Sequence, residues 1–277
     1  MRGLLSKERL LEIDNSIPEI SLLCRRIIGF MPNAVALFYG PESDMPIAIV
    51  CLQDSAEYLQ EARYALHACM ARIIWHREER TPPNEVAGIF EGRFYADDTA
   101  LRLYSAAEHL ANFIQKFLSI SDDDLEPYRK ARISKASILG HFLLKEMPNH
   151  QITHIVQELL ENESWRFTTS YRNKWVHDQR PRLKGMGIVF DRRDRWLKAD
   201  TTKHMLFGGG DEPSLTIDEL VEYMCGSFIA FARVLGDVSK NFVSQVEGLE
   251  TDEEGNVKWH VGSLHRETKQ KEGGTSL

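Results

Sequence analysis

The chain has few cysteines, and no two of them are close together. Cys24, Cys51, Cys69 and Cys225 are scattered over 277 residues without a Cys-x-x-Cys pair. A disulfide framework or a cysteine-ligated zinc site normally requires clustered cysteines. Because three of the four stand within apolar stretches, the sequence predicts reduced thiols in the core of a cytoplasmic protein.

Long apolar runs are also missing. The longest, residues 31–52, is interrupted by a Gly-Pro-Glu-Ser-Asp sequence at 40–44, whereas a membrane-spanning helix needs about 20 consecutive apolar residues. Residues 1–15 carry charges throughout and lack the apolar segment of a signal peptide. We therefore expect a soluble protein with no membrane partner.

Positive charge is scarce overall but concentrated in one segment. The formal net charge of −7 excludes a surface that binds nucleic acid non-specifically over its whole extent. Within residues 172–198, however, nine lysines and arginines stand against three aspartates, a local net charge of +6. We interpret this segment as a surface that binds the phosphodiester backbone of a nucleic acid. For its second half, a solvated hairpin tip without a binding role is an alternative. The predicted phosphate-binding side chains are Lys174, Arg180, Arg182, Lys184, Arg192, Arg193 and Arg195.

Apolar periodicity predicts a mainly α-helical fold. Helices are expected at 54–80, 98–120, 122–145 and 151–177, the last kinked around 161–164. Residues 34–39 and 47–52 are compatible with short strands or with helix.

We predict that the chain has three regions. They are N-terminal helices and possible strands at 1–53, a helical bundle at 54–247 with a β insertion at about 185–210, and a disordered polar tail at 248–277. Within the insertion, 187–190 is expected to pair with 195–199.

The last predicted helix opens with the capping box Thr216-x-x-Glu219. Its apolar residues follow a four-three spacing that is typical of a bundle core or of a helix–helix dimer seam, and the sequence leaves both open. They are Ile217, Val221, Met224, Phe228, Phe231, Leu235, Val238 and Phe242.

One hexapeptide carries the chemistry, namely Arg172-Asn173-Lys174-Trp175-Val176-His177. A permanently charged guanidinium can bind a phosphate, and an imidazole can move a proton near neutral pH, so the pair needs no metal. Chance alone predicts roughly one Arg-x4-His pair in a chain of this composition, but the asparagine after the arginine makes the match rarer. On a helix, Asn173 and His177 are neighbours, and the long side chain of Arg172 can lean toward them. The alternative is that Arg172 and His177 form a solvated helix end with no binding role, since cations are favoured at a helix C-terminus.

Metal sites and nucleotide loops are weakly supported. His150 and His154 share a helix face with Glu158, but the pattern lacks the glutamate of His-Glu-x-x-His, so we favour a solvated face. The triple glycine at 208–210 lacks the lysine and serine or threonine of a phosphate-binding loop. We predict no metal and no cofactor.

The hexapeptide, placed late in a helical bundle, resembles the Arg-x4–6-His signature of the HEPN superfamily. The resemblance implies a mainly α, HEPN-like helical bundle, here with a small β-hairpin insertion after the motif, that dimerises so that two motifs meet. Active members are metal-independent endoribonucleases, often toxins or antiviral effectors. The resemblance makes His177 the general acid/base, Arg172 the group that stabilises charge on the phosphate, and Asn173 the polar residue after the arginine. Toxin members commonly have a tyrosine two residues past the histidine, where this chain has Gln179.

These observations lead to one hypothesis and two alternatives. The hypothesis is a cytoplasmic, homodimeric, metal-independent endoribonuclease that cleaves single-stranded RNA by 2′-hydroxyl attack, with a role as a toxin or phage-defence effector controlled by an antitoxin or regulatory protein. The first alternative is a non-catalytic HEPN-like module that binds a nucleotide, RNA or a protein. The second is a structural dimer built on the last helix.

Overall fold

The computed structural model describes residues 5–129, 134–177, 180–187, 196–199, 202–205, 212–246, 249–251 and 257–259. Over these residues the protein is mainly α-helical, as the periodicity predicted. The α-helices are α1 (Lys7–Ser16), α2 (Ser21–Ile28), α3 (Pro32–Tyr39), α4 (Met45–Ile74), α5 (Glu85–Phe117), α6 (Asp122–Leu125), α7 (Lys135–Glu146), α8 (Gln151–Glu161), α9 (Glu163–His177) and α10 (Ile217–Gln245).

Two short strand pairs accompany the helices. β1 (Trp196–Ala199) pairs antiparallel with β2 (Thr202–Met205), and β3 (Leu249–Thr251) pairs antiparallel with β4 (Val257–Trp259). The pairing predicted between 187–190 and 195–199 involves residues outside the described part of the chain and stays a prediction. The tail at 248–277 was expected to be disordered; β3 and β4 lie within it, and its other residues lie outside the described part of the chain.

The centre of the bundle is the antiparallel pair α4 and α5. Each helix begins earlier than predicted, at Met45 and Glu85, so the possible strands at 34–39 and 47–52 are wrong and the helical alternative is correct. The two helices approach closely at Gly92, where a Cβ atom would lie 2.7 Å from Cγ1 of Ile73. The apolar run that looked like two strands therefore divides between a short helix and the first turns of a long one.

A π-helical turn, Trp75–Glu79, ends α4 and carries an ion pair to the last helix. Arg80 N–H donates to the carbonyl of Trp75 at 2.8 Å, and both terminal nitrogens of Arg77 contact the Asp218 carboxylate, at 2.9 and 3.2 Å. The Arg77 and Asp218 side chains are only 10% and 5% exposed. Asn84 then starts α5 by accepting a hydrogen bond from the backbone of Ala87.

Helix α10 lies in the core rather than on an outer seam. Its capping box forms as predicted, with Thr216 and Glu219 each bonding the other's backbone N–H. Phe228, Phe231 and Phe242 are completely buried within a single chain. The dimer-seam alternative for this stripe is therefore wrong.

The predicted helices at 122–145 and 151–177 are both divided. The first consists of α6, a 3-10 turn (Glu126–Tyr128) and α7, with residues 130–133 outside the described residues. The second breaks at Asn162, inside the predicted kink, and Asn162 caps the new helix by accepting from the backbone of Trp165 at 3.0 Å. This cap fixes where α9 begins and hence which of its faces packs inward.

We expect truncation of Phe231 to Ala to reduce the free energy of unfolding by about 3–5 kcal/mol, because it removes a buried ring and leaves a cavity. Ile229→Ala, two positions away on the same helix at 39% exposure, is the matched control and should reduce it by about 1 kcal/mol or less. Urea unfolding followed by circular dichroism measures both. Equal losses would contradict the placement of the α10 stripe in the core.

Candidate functional site

The hexapeptide occupies the last turns of α9, which packs against α10 through its other side. Trp165 stacks on Phe231 with ring centres 5.6 Å apart, and the Thr168 hydroxyl lies 2.7 Å from the Ser227 hydroxyl. Tyr171 is also buried. Because these residues define the inward face, the polar residues of the motif are left on the accessible side of the helix.

The structure brings the three predicted catalytic side chains together. Nη1 of Arg172 donates to Oδ1 of Asn173 at 3.1 Å and lies 3.5 Å from Nε2 of His177. Asn173 and His177 are exposed, and Arg172 is half-buried. Since a guanidinium has only donors, this long contact is a hydrogen bond only when Nε2 carries no hydrogen. The amide thus contacts the arginine rather than the imidazole.

Tyr104 of α5 forms one wall of the site. The guanidinium carbon of Arg172 lies 3.7 Å from the centre of the Tyr104 ring. Burial raises the pKa of the Tyr104 phenol, and the nearby Glu108 carboxylate raises it further, while Arg172 opposes both effects. The phenol is therefore neutral at physiological pH and presents an uncharged ring to the guanidinium.

A buried carboxylate lies beneath the motif. Asp97 of α5 accepts a hydrogen bond from the Tyr171 hydroxyl at 2.5 Å and from Nε of Arg180 at 3.1 Å. Nε of Arg93, a completely enclosed side chain, lies 3.6 Å away. Burial raises the pKa of Tyr171, and the charge and hydrogen bond of Asp97 add to that effect. Asp97 thus connects α5 to residues on both sides of the hexapeptide.

The predicted phosphate-binding residues lie in different environments. Lys174 and Arg182 are exposed, whereas Arg180 is bound to Asp97 and lies 5.6 Å from the centre of the Trp175 ring. The backbone N–H of Lys184 donates to the carbonyl of Leu215 at 2.8 Å, which anchors that segment to the start of α10. The remaining predicted residues, Arg192, Arg193 and Arg195, lie outside the described residues.

The other sequence features have structural explanations. His150 caps α8 by accepting from the backbone of Ile152 at 3.2 Å. Within the described residues, no group of three histidine, cysteine or carboxylate side chains is arranged to hold a metal ion. In the same part of the chain, no single helix is long and apolar enough to cross a membrane, although one bent pair, Lys7–Ile28 with Pro32–Tyr39, passes by length and composition.

Sequence reasoning missed Arg93 and Asp97, because it started the second long helix at Asp98. Tyr104 lies inside that predicted helix, but spacing along the chain does not show that it faces Arg172. A usable signal was present: a Pro-Pro-Asn-Glu sequence at 82–85 is a helix start. With α5 extended to that point, Arg93 and Asp97 are spaced by four residues and border its core stripe, which marks them as a buried pair.

Comparison with known protein families, with curated proteins and with solved structures finds no match to this chain. Its function is therefore inferred from the geometry of the site and from the motif.

We expect Asp97→Asn to reduce the free energy of unfolding by about 3 kcal/mol, because it leaves the enclosed Arg93 guanidinium without a counter-charge. Asp98→Asn is the matched control: the neighbouring carboxylate is 37% exposed and pairs with Arg102 on the surface, so a loss below about 1 kcal/mol is expected. Chemical denaturation of the two variants tests this. If Asp98→Asn is as harmful as Asp97→Asn, the buried cluster does not hold α9 in place.

Proposed function

We propose that this protein is a metal-independent endoribonuclease of HEPN type that cleaves single-stranded RNA. The observation that carries the proposal is the convergence of Arg172, Asn173 and His177 at an accessible helix end, with the guanidinium 3.5 Å from the imidazole nitrogen. Phosphodiester cleavage needs a proton acceptor and a cation at the same phosphorus. The imidazole of His177 and the guanidinium of Arg172 are close enough together to reach one phosphate.

The proposed reaction is transesterification. Nε2 of His177 removes the proton of a ribose 2′-hydroxyl, whose oxygen attacks the adjacent phosphorus while the bond to the 5′-oxygen breaks. The guanidinium of Arg172 stabilises the charge that develops on the non-bridging oxygens. The leaving 5′-oxygen takes up the proton that His177 has accepted, so the imidazole returns to its starting form and the products are a 2′,3′-cyclic phosphate and a free 5′-hydroxyl. Lys174 and Arg182, both exposed near the motif, extend positive charge for the RNA backbone.

The proposal includes a homodimer, and an exposed apolar stripe on α5 supports it. Val86, Phe90 and Phe94 follow at four-residue intervals and are 63%, 59% and 61% exposed. Phe90, Asp97 and Tyr104 are spaced by seven residues, so the stripe lies on the same side of α5 as the site. Large apolar side chains exposed one helical turn apart are candidates for a protein–protein contact, because exposed apolar patches often mark such sites. A second copy packed on this stripe would place two Arg–His pairs at one interface.

The biological role follows from the resemblance and remains part of the proposal. A HEPN-like bundle with a β-hairpin insertion after the motif fits toxin or phage-defence activity in the cytoplasm, under an antitoxin or another regulatory protein. The runner-up is a non-catalytic module that binds RNA or a nucleotide in the same place. Both use the same residues, so only turnover separates them.

We expect the purified protein to cut single-stranded RNA in the presence of EDTA and to leave 2′,3′-cyclic phosphate ends. His177→Ala should lower the rate by about 10²- to 10⁴-fold, because general acid–base catalysis typically contributes that much, and Arg172→Ala should also lower it strongly. Cleavage of a fluorescent oligonucleotide, with end-group analysis, measures both effects.

Two exposed residues provide matched controls for this assay. Arg166 lies on α9 outside the motif and His154 lies on α8, and their Ala variants should cut RNA at the wild-type rate. No cleavage by wild-type protein, or equal cleavage by His177→Ala, would refute the ribonuclease. RNA binding without turnover would favour the binding module.

We expect the double variant Phe90→Glu and Phe94→Glu to be monomeric in solution, because charges on the α5 stripe oppose its burial against a second copy. Leu37→Glu is the control, since Leu37 is 86% exposed on α3, away from the stripe. Light scattering after size-exclusion chromatography gives the mass of each variant. A wild-type monomer, or a dimer that survives the double substitution, would contradict this interface.

A further inference from the structure

We propose that Tyr104 is a positioning residue that holds the Arg172 guanidinium beside His177 while leaving the N–H groups of its second terminal nitrogen, Nη2, open to a phosphate. This inference rests on the proposed function and extends it to a residue outside the motif. Tyr104 belongs to α5, 68 positions before Arg172 in the chain.

The constraint on Arg172 comes mainly from outside its own helix. Two of its polar contacts, to Asn173 and His177, are with exposed side chains of α9 itself. The ring of Tyr104, at 3.7 Å, is its only ring, ionic or hydrogen-bonding contact from another element among the described residues. An arginine side chain has four rotatable bonds, so a flat surface from a neighbouring helix restricts it more than contacts to mobile side chains do.

Tyr104 is itself held in a well-anchored part of α5. One turn further along the helix, Glu108 accepts hydrogen bonds from the first backbone N–H groups of α7, of Lys135 and Ala136, both at 3.2 Å. The Tyr104 ring is half-buried, and Nε of Arg172 is buried without a hydrogen-bond partner among the described residues. We infer that the ring shields this nitrogen from water, so that the N–H groups available to a phosphate are those of Nη2.

The contact with Tyr104 brings the guanidinium carbon to 3.7 Å from the ring centre, a separation typical of a guanidinium stacked on an aromatic ring. Arg77 and Arg180 direct their N–H edges at carboxylates, of Asp218 and Asp97. Within the described residues, no carboxylate lies within ion-pair distance of Arg172, whose guanidinium carbon lies over the Tyr104 ring. A carboxylate would neutralise the cation and compete with a phosphate for the same N–H groups, whereas an aromatic ring stabilises the cation without occupying them.

The test compares Tyr104→Leu, which removes the ring, with Tyr104→Phe, which restores it without the hydroxyl. In the RNA-cleavage assay Tyr104→Leu should lower kcat about tenfold, equivalent to ~1.4 kcal/mol of transition-state stabilisation, with a smaller effect on KM. Tyr104→Phe should recover at least half of the wild-type kcat. If Tyr104→Leu does not fold, Tyr104→Met keeps an unbranched helix former at this position and serves instead.

Tyr58 supplies the matched control. It is also a half-buried tyrosine beside an arginine, with its ring centre 6.0 Å from the guanidinium carbon of Arg102. Tyr58→Leu should leave kcat within about twofold of wild type. A tenfold loss in both Leu variants would mean a general effect on the fold and would overturn the proposal. An unchanged kcat in Tyr104→Leu would overturn it as well.

A second readout does not depend on cleavage and separates this inference from the proposed function. In ¹⁵N-labelled protein, the Arg172 Nε–H signal, assigned by its loss in Arg172→Lys, should be shifted by the ring and exchange slowly with water. Both properties should persist in Tyr104→Phe and disappear in Tyr104→Leu. If wild-type protein does not cut RNA, the proposed ribonuclease function is refuted. The NMR readout still tests whether Tyr104 positions Arg172. An identical signal in Tyr104→Leu would refute the positioning role.

Discussion

The geometry of the motif depends on one buried carboxylate. Asp97 is almost completely enclosed, and a charge in that environment is stable only with partners. Its partners from outside α5 are Tyr171, which directly precedes the motif arginine, and Arg180, three residues past the motif histidine. Moving the last turn of α9 away from α5 would leave a buried charge without its hydrogen bonds, so the position of the hexapeptide is fixed by electrostatics as well as by apolar packing.

The arginines around the motif divide according to the groups they contact. Arg93 and Arg180 share the Asp97 carboxylate, and such contacts hold elements of the fold together. Arg172 instead has its guanidinium carbon over the Tyr104 ring, near the imidazole of His177. The same side-chain type therefore has a structural role where it meets the Asp97 carboxylate, whereas the proposed function gives Arg172 a chemical one. Binding of an anion at Arg172 requires no ion pair to be broken first among the contacts described.

Much of this organisation could be predicted from the sequence, and the exceptions have physical causes. The fold class, the α10 capping box and the convergence of Arg172 with His177 follow from short-range spacing, which a helix converts directly into proximity. Asp97 and Tyr104 act from another helix, and spacing carries no information on which helices pack together. Apolar residues at 34–39 and 47–52 fit strand and helix equally well, because short runs with apolar residues on exposed as well as buried faces, such as Leu37 at 86% exposure, have no clear period.

The π-helical turn at the end of α4 has a consequence for how the chain tolerates changes in its length. A residue added to or lost from 75–76 would rotate Arg77 about the helix axis by close to a right angle, carrying it away from Asp218 and from the carbonyl of Leu5. At the opposite end of α4, the turn at Gly40 has open space around it and no packed neighbour to displace. Insertions and deletions are thus far more damaging at one end of this helix than at the other.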